Sequence, residues 1–126
     1  MRAAITQAKR VVIKVGSSSL TGTAGSGINK AAIAEISRIA AHLRTKKVDV
    51  VVVSSGAIAA GLKPLGLTAR PHDLASQQAA ASVGQGLLMA AYTQDFAEHQ
   101  IVASQVLLTT EDITRRSHFQ SAKRTL

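Results

Sequence analysis

Cysteine and tryptophan are absent from this 126-residue sequence, and proline (two residues), tyrosine (one) and phenylalanine (two) are scarce. The absence of cysteine excludes disulfides and cysteine-ligated metal sites. No apolar run approaches the roughly 20 residues that a membrane span needs, and residues 1–12 lack the apolar core and cleavage site of a secretory signal. We therefore expect a soluble, cytoplasmic protein without a membrane partner.

Acidic residues are also few, since seven of them face fifteen lysines and arginines and the formal net charge is +8. A charge of this size raises the possibility of a nucleic-acid partner. The basic residues are scattered, however, and with three aromatic residues in the sequence no platform for base stacking is visible. We expect a solvated basic surface and no nucleic-acid site.

A strand–helix–strand pattern fills the first half of the chain. The β-branched run at 11–15 predicts a strand buried on both faces, and 48–53 predicts a second one. Between them, apolar residues at helical spacing over 28–43 predict a helix, with Asn29 as its N-cap. Because this is a βαβ unit, we expect the two strands to be parallel.

A long helix is predicted over residues 74–100, with Asp73 as its N-cap. Gly84 and Gly86 weaken the middle of this helix, because glycine is a poor helix former. A glycine at such a place often allows close packing by another backbone.

The remaining residues predict one more strand, over 101–108, and a helix that Thr109 or Thr110 starts and that continues to Leu126. A sheet that stops inside a crossover helix has an open edge and an uncovered face. We therefore expect part of a larger α/β domain.

The first candidate site is the sequence KVGSSS, in which Lys14 interrupts the first strand and Gly16 follows it. Ligands of open α/β sheets bind where strands end, so backbone and hydroxyl donors of Ser17 and Ser18 and the charge of Lys14 would suit a phosphate group. The spacing matches neither the Walker nor the Rossmann glycine pattern. An alternative remains equally open, in which Lys14 reaches solvent from an edge strand and the serines form a flexible turn.

The second candidate site is the sequence SSGA at 54–57, where another strand ends. Its backbone N–H groups and the Ser55 hydroxyl would suit a carboxylate, although an ordinary strand-to-helix turn is the alternative. A serine nucleophile is disfavoured because the GxSxG pattern is missing. Four isolated histidines are expected at the surface, without metal-ligand spacing: His42, His72, His99 and His118.

The segments VVIKVGSSSL, VVVVSSGAIAAG, AAASVGQ and SQVLLTTED, in this order and spacing, resemble the glutamate kinases of the amino acid kinase family. The resemblance runs from about Arg10 to the last residue. It implies an α/β fold, an open three-layer αβα sandwich with a largely parallel sheet, present only in part. Residues 1–126 would be the N-terminal part of a single kinase domain, ending before its nucleotide-binding half.

The same resemblance implies transfer of the ATP γ-phosphoryl group, with Mg²⁺, to the γ-carboxylate of L-glutamate, which gives L-glutamyl 5-phosphate in the first step of proline biosynthesis. It implies proline as a feedback inhibitor and a homo-oligomer at full length, and we expect these 126 residues alone to be inactive. The alternatives are another acceptor within the family and a non-catalytic module that binds anions or carboxylates.

Site residues follow from the resemblance at matching positions. The ATP phosphates would be bound by Lys14, which is also the catalytic residue, and by Gly16, Ser17 and Ser18. The glutamate would be bound by Ser55, Gly56 and Ala57. No metal ligand is assigned.

Overall fold

The structure, a computed structural model, describes residues 6–22 and 27–126. In these ranges the elements are β1 (Arg10–Val15), α1 (Ser17–Leu20), α2 (Lys30–Thr45), β2 (Asp49–Ser54), α3 (Ala57–Leu62), a 3₁₀ turn (Lys63–Leu65), α4 (Leu74–Glu98), α5 (Thr110–Thr114) and α6 (Arg116–Thr125). No helix among these residues combines the length and the hydropathy needed to cross a membrane.

The predicted βαβ unit is confirmed. Strands β1 and β2 pair in parallel, with a register that runs from Arg10 opposite Asp49 to Val15 opposite Ser54. Helix α2 connects them, and its last turn is tied to the start of β2 by an ion pair of 2.9 Å between Arg44 and Asp49. The parallel pairing places the carboxyl ends of both strands at the same edge of the sheet.

One face of this small sheet packs against α2 and α4. Because side chains alternate along a strand, Ile13 and Val15 of β1 point to the same face as Val50 and Val52 of β2, and all four contact the hydrophobic core. The buried members of the core come from β1 and three helices: Val15, Leu20, Ile33, Ile36, Ala40, Leu88, Tyr92 and Phe96.

The opposite face of the sheet is open. Val12 is 60% exposed and Val53 is 47% exposed, and Lys14, which pairs with Val53, is exposed beside them. The prediction that β1 and β2 are buried on both faces is therefore wrong for this chain, whereas the predicted uncovered face is confirmed. Because Lys14 stands on the open face, its ammonium group carries no burial cost.

The predicted N-caps are confirmed. The side chains of Asn29 and Asp73 each accept a hydrogen bond from the backbone N–H three residues further on, at 3.1 and 2.8 Å. Thr109, rather than Thr110, caps α5, and it forms a capping box with Asp112. Each cap satisfies a backbone donor that the first turn of a helix leaves without an intrahelical partner.

The predicted third strand is wrong, because residues 101–109 form no ladder with β1 or β2. The segment keeps the alternation of a strand at its start, since Ile101 and Ala103 pack against the core while Val102 is 96% exposed. A strand requires hydrogen bonds to a neighbour, and the apolar pattern by itself does not supply them.

The predicted single C-terminal helix is two helices. Arg115, with φ −81° and ψ 118°, has an extended backbone that separates α5 from α6. Helix α6 then ends at Thr125.

Candidate phosphate and carboxylate turns

Two turns meet at the carboxyl edge of the sheet, which we call the phosphate turn (16–18) and the carboxylate turn (55–57). A methyl group placed on Gly56 would lie 3.6 Å from the Cα atom of Ser17, so the two turns lie close together. Ser55 also donates two hydrogen bonds to the carbonyl of Val15, from its backbone N–H and from its hydroxyl, both at 3.3 Å. The two candidate sites predicted from the sequence therefore lie side by side.

The phosphate turn presents donors to solvent. Gly16 has an extended backbone (φ −76°, ψ 159°) and precedes the one-turn helix α1, whose buried Leu20 anchors it in the core. Ser17 and Ser18 are exposed, and their N–H groups lie in the first turn, where no carbonyl of the helix can accept from them. These groups can donate to the oxygens of an anion.

Lys14 supplies positive charge next to this turn. It is exposed on the open face, two residues before Gly16. Ion pairs occur elsewhere, for example between Arg38 and Glu35, but none of those found in residues 6–22 and 27–126 involves Lys14. Its ammonium group is therefore available to an anionic ligand.

The carboxylate turn depends on a left-handed residue. Gly56 has φ 115° and ψ 4°, a conformation that side chains disfavour, and its carbonyl accepts from the N–H of Ala60 in the first turn of α3. Ser55 is exposed. At 3.3 Å its hydroxyl bond to Val15 is long, so little is lost when the hydroxyl rotates to donate to a ligand.

Two glycines fix α3 against α4. A methyl group on Gly84 would overlap the carbonyl oxygen of Ala57 and lie 2.5 Å from the N atom of Gly61, while one on Gly61 would overlap the carbonyl of Ala80. The helices thus cross backbone to backbone, as predicted for Gly84. At Gly86, by contrast, a methyl group would have no described atom within 4 Å.

Tyr92 contacts the end of β2, which the sequence analysis did not predict. Its hydroxyl donates to the Ser54 hydroxyl at 3.2 Å, and its ring stacks on Phe96 with centroids 6.2 Å apart. Burial raises the pKa of Tyr92 above its ordinary value, which is already high enough for the phenol to be protonated at neutral pH. The spacing of Leu88, Tyr92 and Phe96 could have indicated a buried tyrosine, which usually finds a polar partner.

Comparisons with known proteins identify the family of the chain. The model of the amino acid kinase family matches residues 9–126. The chain belongs to the amino acid kinase family.

Similar proteins within this family are glutamate 5-kinases. This chain is 55% identical to that of Thermobifida fusca over 125 residues, which are 99% of the chain and 32% of the relative. It is 56% identical to that of Salinispora arenicola over 126 residues, 100% of the chain and 34% of the relative. It is 55% identical to that of Streptomyces coelicolor over 125 residues, which are 99% of the chain and 33% of the relative. The chain thus spans about a third of the length of the curated relatives that it matches.

In this family member the structure brings the predicted positions together at one edge of the sheet, although their functional roles stay predictions. No group of three or more histidine, cysteine, aspartate or glutamate side chains suited to a metal occurs in the part of the chain that the structure describes. The four histidines are exposed, as expected.

Proposed function

We propose that this chain supplies the phosphate turn and the carboxylate turn of a kinase that transfers the ATP γ-phosphoryl group to the γ-carboxylate of L-glutamate, giving L-glutamyl 5-phosphate for proline biosynthesis. The observation that carries the proposal is the close approach of the two turns: Gly56 lies beside Ser17, and Ser55 is hydrogen-bonded to Val15, directly before the phosphate turn. A donor phosphate and an acceptor carboxylate need such adjacency to react. The names of the similar proteins support the choice of glutamate.

The proposed roles follow from the groups at the site. A γ-carboxylate oxygen attacks the γ-phosphorus, and the bond to the ADP oxygen breaks. The transferring group is loosely bonded and negatively charged in the transition state, so positioning and neutralisation contribute most of the catalysis. Lys14 would supply the positive charge, the N–H groups of Ser17 and Ser18 would hold phosphate oxygens, and Gly16 would let them approach the backbone.

The acceptor would be held by the carboxylate turn. Ser55 would donate its hydroxyl once it leaves the Val15 carbonyl, and the left-handed Gly56 directs the backbone N–H groups at the start of α3, beginning with Ala57, toward the substrate.

ATP is the donor that a kinase family implies, and the exposed cation and N–H donors fit its phosphates. Mg²⁺ is proposed to bind together with ATP, but the described residues include no cluster of acidic side chains that could hold it. We therefore assign no residue of this chain to the metal and derive no step through it.

The place of the chain in a longer protein is also a proposal. Its match to about a third of each relative supports residues 1–126 as the N-terminal part of a single kinase domain, which is why we expect no turnover from the chain alone. Homo-oligomer formation, inhibition by proline and a cytoplasmic location stay predictions from the resemblance.

A chimera tests the proposal. This chain would replace the matching third of the Thermobifida fusca glutamate 5-kinase, to which it is 55% identical. We expect glutamate-dependent ADP release with Mg-ATP, and an acyl phosphate that hydroxylamine traps as a hydroxamate. The unmodified relative is the positive control, and the chain alone and aspartate as acceptor are the negative controls.

The alternatives give different results in the same assay. A folded chimera that phosphorylates another acceptor and ignores glutamate would place the chain elsewhere in the family. Glutamate binding without ADP release would favour the non-catalytic carboxylate-binding module, and either result would contradict the proposed reaction.

A further inference from the structure

Tyr92 joins the hydrophobic core to the edge of the sheet that carries the candidate site. Its side chain is only 5% exposed, yet its hydroxyl reaches Ser54, the last residue of β2. Ser54 lies directly before the carboxylate turn. The bond thus restrains the position of the residue from which the turn starts.

The other end of the carboxylate turn is restrained by the same helix. Gly84 of α4 lies so close to the Ala57 carbonyl that a methyl group could not be added. Helix α4 therefore contacts Ser54, directly before the turn, through Tyr92, and Ala57, the last residue of the turn, through Gly84. Between these two contacts lie Ser55 and Gly56, which together with Ala57 would bind the carboxylate.

We propose that Tyr92 is a positioning residue, which acts through Ser54 to fix the carboxylate turn and thereby sets the affinity for the acceptor carboxylate. The inference rests on the proposed function. Tyr92 does not touch the ligand in this account, because it is buried in the core behind β2. Its hydroxyl therefore affects acceptor binding without taking part in phosphoryl transfer.

The first test uses the chimera that contains this chain. Tyr92→Phe removes the hydroxyl and keeps the ring, and Ser54→Ala removes its partner. A single neutral hydrogen bond corresponds to about a threefold to tenfold change in affinity. We expect the KM for glutamate to rise by that factor in each variant, while kcat and the KM for ATP stay within about twofold.

A double-mutant cycle distinguishes this role from separate effects. Because both substitutions delete the same bond, the double variant should raise the KM for glutamate no more than either single variant. Ser54→Thr keeps a hydroxyl and should retain a KM close to that of the unsubstituted chimera. Phe96→Leu weakens the packing beside Tyr92 without touching Ser54, and should lower the thermal midpoint while leaving the KM unchanged.

A second test uses this chain itself. Tyr92 is its only tyrosine, so tyrosine labelled with carbon-13 at Cζ gives a single nuclear magnetic resonance signal. Loss of the bond in Ser54→Ala should shift this signal, whereas Leu65→Ala, at an exposed position in the 3₁₀ turn, should leave it in place.

The outcomes separate the inference from the proposed function. Turnover of glutamate with an unchanged KM in Tyr92→Phe, or additive effects in the double variant, would overturn the positioning role and leave the kinase reaction standing. An unmoved Cζ signal in Ser54→Ala would overturn it as well. A folded chimera without glutamate turnover would contradict the proposed function, and the role in acceptor binding would fall with it.

Discussion

The phosphate turn and the carboxylate turn follow neighbouring parallel strands and meet at one edge, but they are supported in different ways. Gly16 has an ordinary extended backbone, and its turn enters a one-turn helix that Leu20 anchors. Gly56 is left-handed, and its turn enters α3, which crosses α4 backbone to backbone. The phosphate turn is anchored to the core through one side chain, whereas the carboxylate turn is part of the contact between α3 and α4.

Because of this difference, substitutions in the two turns should affect the reaction and the stability of the fold to different degrees. Groups of the phosphate turn and Lys14 are exposed, so changing them should alter the reaction and leave the fold intact. The backbone of the carboxylate turn is fixed by contacts with α4, so changes there should alter folding and ligand affinity together. Four predictions test or sharpen this contrast.

The largest expected effect belongs to Lys14. Removing one group that stabilises transition-state charge commonly lowers kcat by about a hundredfold to a thousandfold, and we expect this from Lys14→Ala in the chimera. The KM for glutamate and the thermal midpoint should change little, because the side chain is exposed. Lys9→Ala, at the opposite end of β1, is the matched control. A kcat that falls equally in both variants would contradict a specific role for Lys14.

Gly84→Ala should have the largest effect on stability. The added methyl group overlaps the Ala57 carbonyl and has no space at the helix crossing. Overpacking of this kind costs about 3 kcal/mol of unfolding free energy, measurable by urea unfolding followed by circular dichroism.

The same helix provides the control for that prediction. At Gly86 a methyl group meets no described atom within 4 Å, so Gly86→Ala should stabilise the chain by about 0.5–1 kcal/mol through higher helix propensity. Equal effects of the two substitutions would show that the close crossing does not control stability.

A smaller effect is expected from the conformation of Gly56. Forcing a side chain into the left-handed region costs about 1–2 kcal/mol, so Gly56→Ala should lower the unfolding free energy by that amount. Gly16→Ala should be nearly neutral for stability, because its φ is −76° and the nearest atom to an added methyl group is 4.0 Å away. If Gly16→Ala destabilised the chain as much, the contrast between the turns would be lost.

Local signals predicted most of the framework on which the turns stand. The β-branched runs, the cap Asn29 and the cap Asp73 act through neighbouring residues, so their positions could be predicted from the sequence alone. The sequence could also assign the two turns to the same edge of the sheet, because the carboxyl ends of neighbouring parallel strands lie at one edge. The close packing at Gly84 was predicted because a glycine inside a helix often allows another backbone to approach, but the same signal at Gly86 was misleading, since a methyl group there meets no described atom within 4 Å.

Features that depend on contacts between elements distant in the sequence could not be predicted from the sequence. The segment 101–108 has a strand-like composition but finds no pairing partner in the described residues. The uncovered face was predicted, but the exposure of Val12 and Val53 on strands expected to be buried on both faces depends on which helices pack on the sheet. The bond from Tyr92 to Ser54 joins residues 38 positions apart, and no local pattern specifies such a pair.

The smallest expected effect concerns the caps of the helices beside the two turns. Helix α2, after the phosphate turn, is capped by the neutral Asn29, whereas α4, behind the carboxylate turn, is capped by Asp73. The hydrogen bond from the Ser76 N–H holds the pKa of Asp73 below its ordinary value. A lowered folded-state pKa contributes stability that is present above the ordinary aspartate pKa of about 4 and is lost as the pH falls through the folded-state value.

Lowering the pH should therefore destabilise α4, behind the carboxylate turn, before it destabilises α2, which follows the phosphate turn. Thermal midpoints measured from about pH 6 down to about pH 2 should fall less steeply in Asp73→Asn, which keeps an oxygen acceptor at the cap without the titrating proton. Part of the slope should remain, because hydrogen bonds also lower the pKa of Glu35 and Asp112. Asn29→Asp should do the reverse and steepen the slope by placing a titrating cap on α2. Identical pH profiles for the three proteins would show that neither cap couples protonation to stability, and that the two turns differ in backbone packing alone.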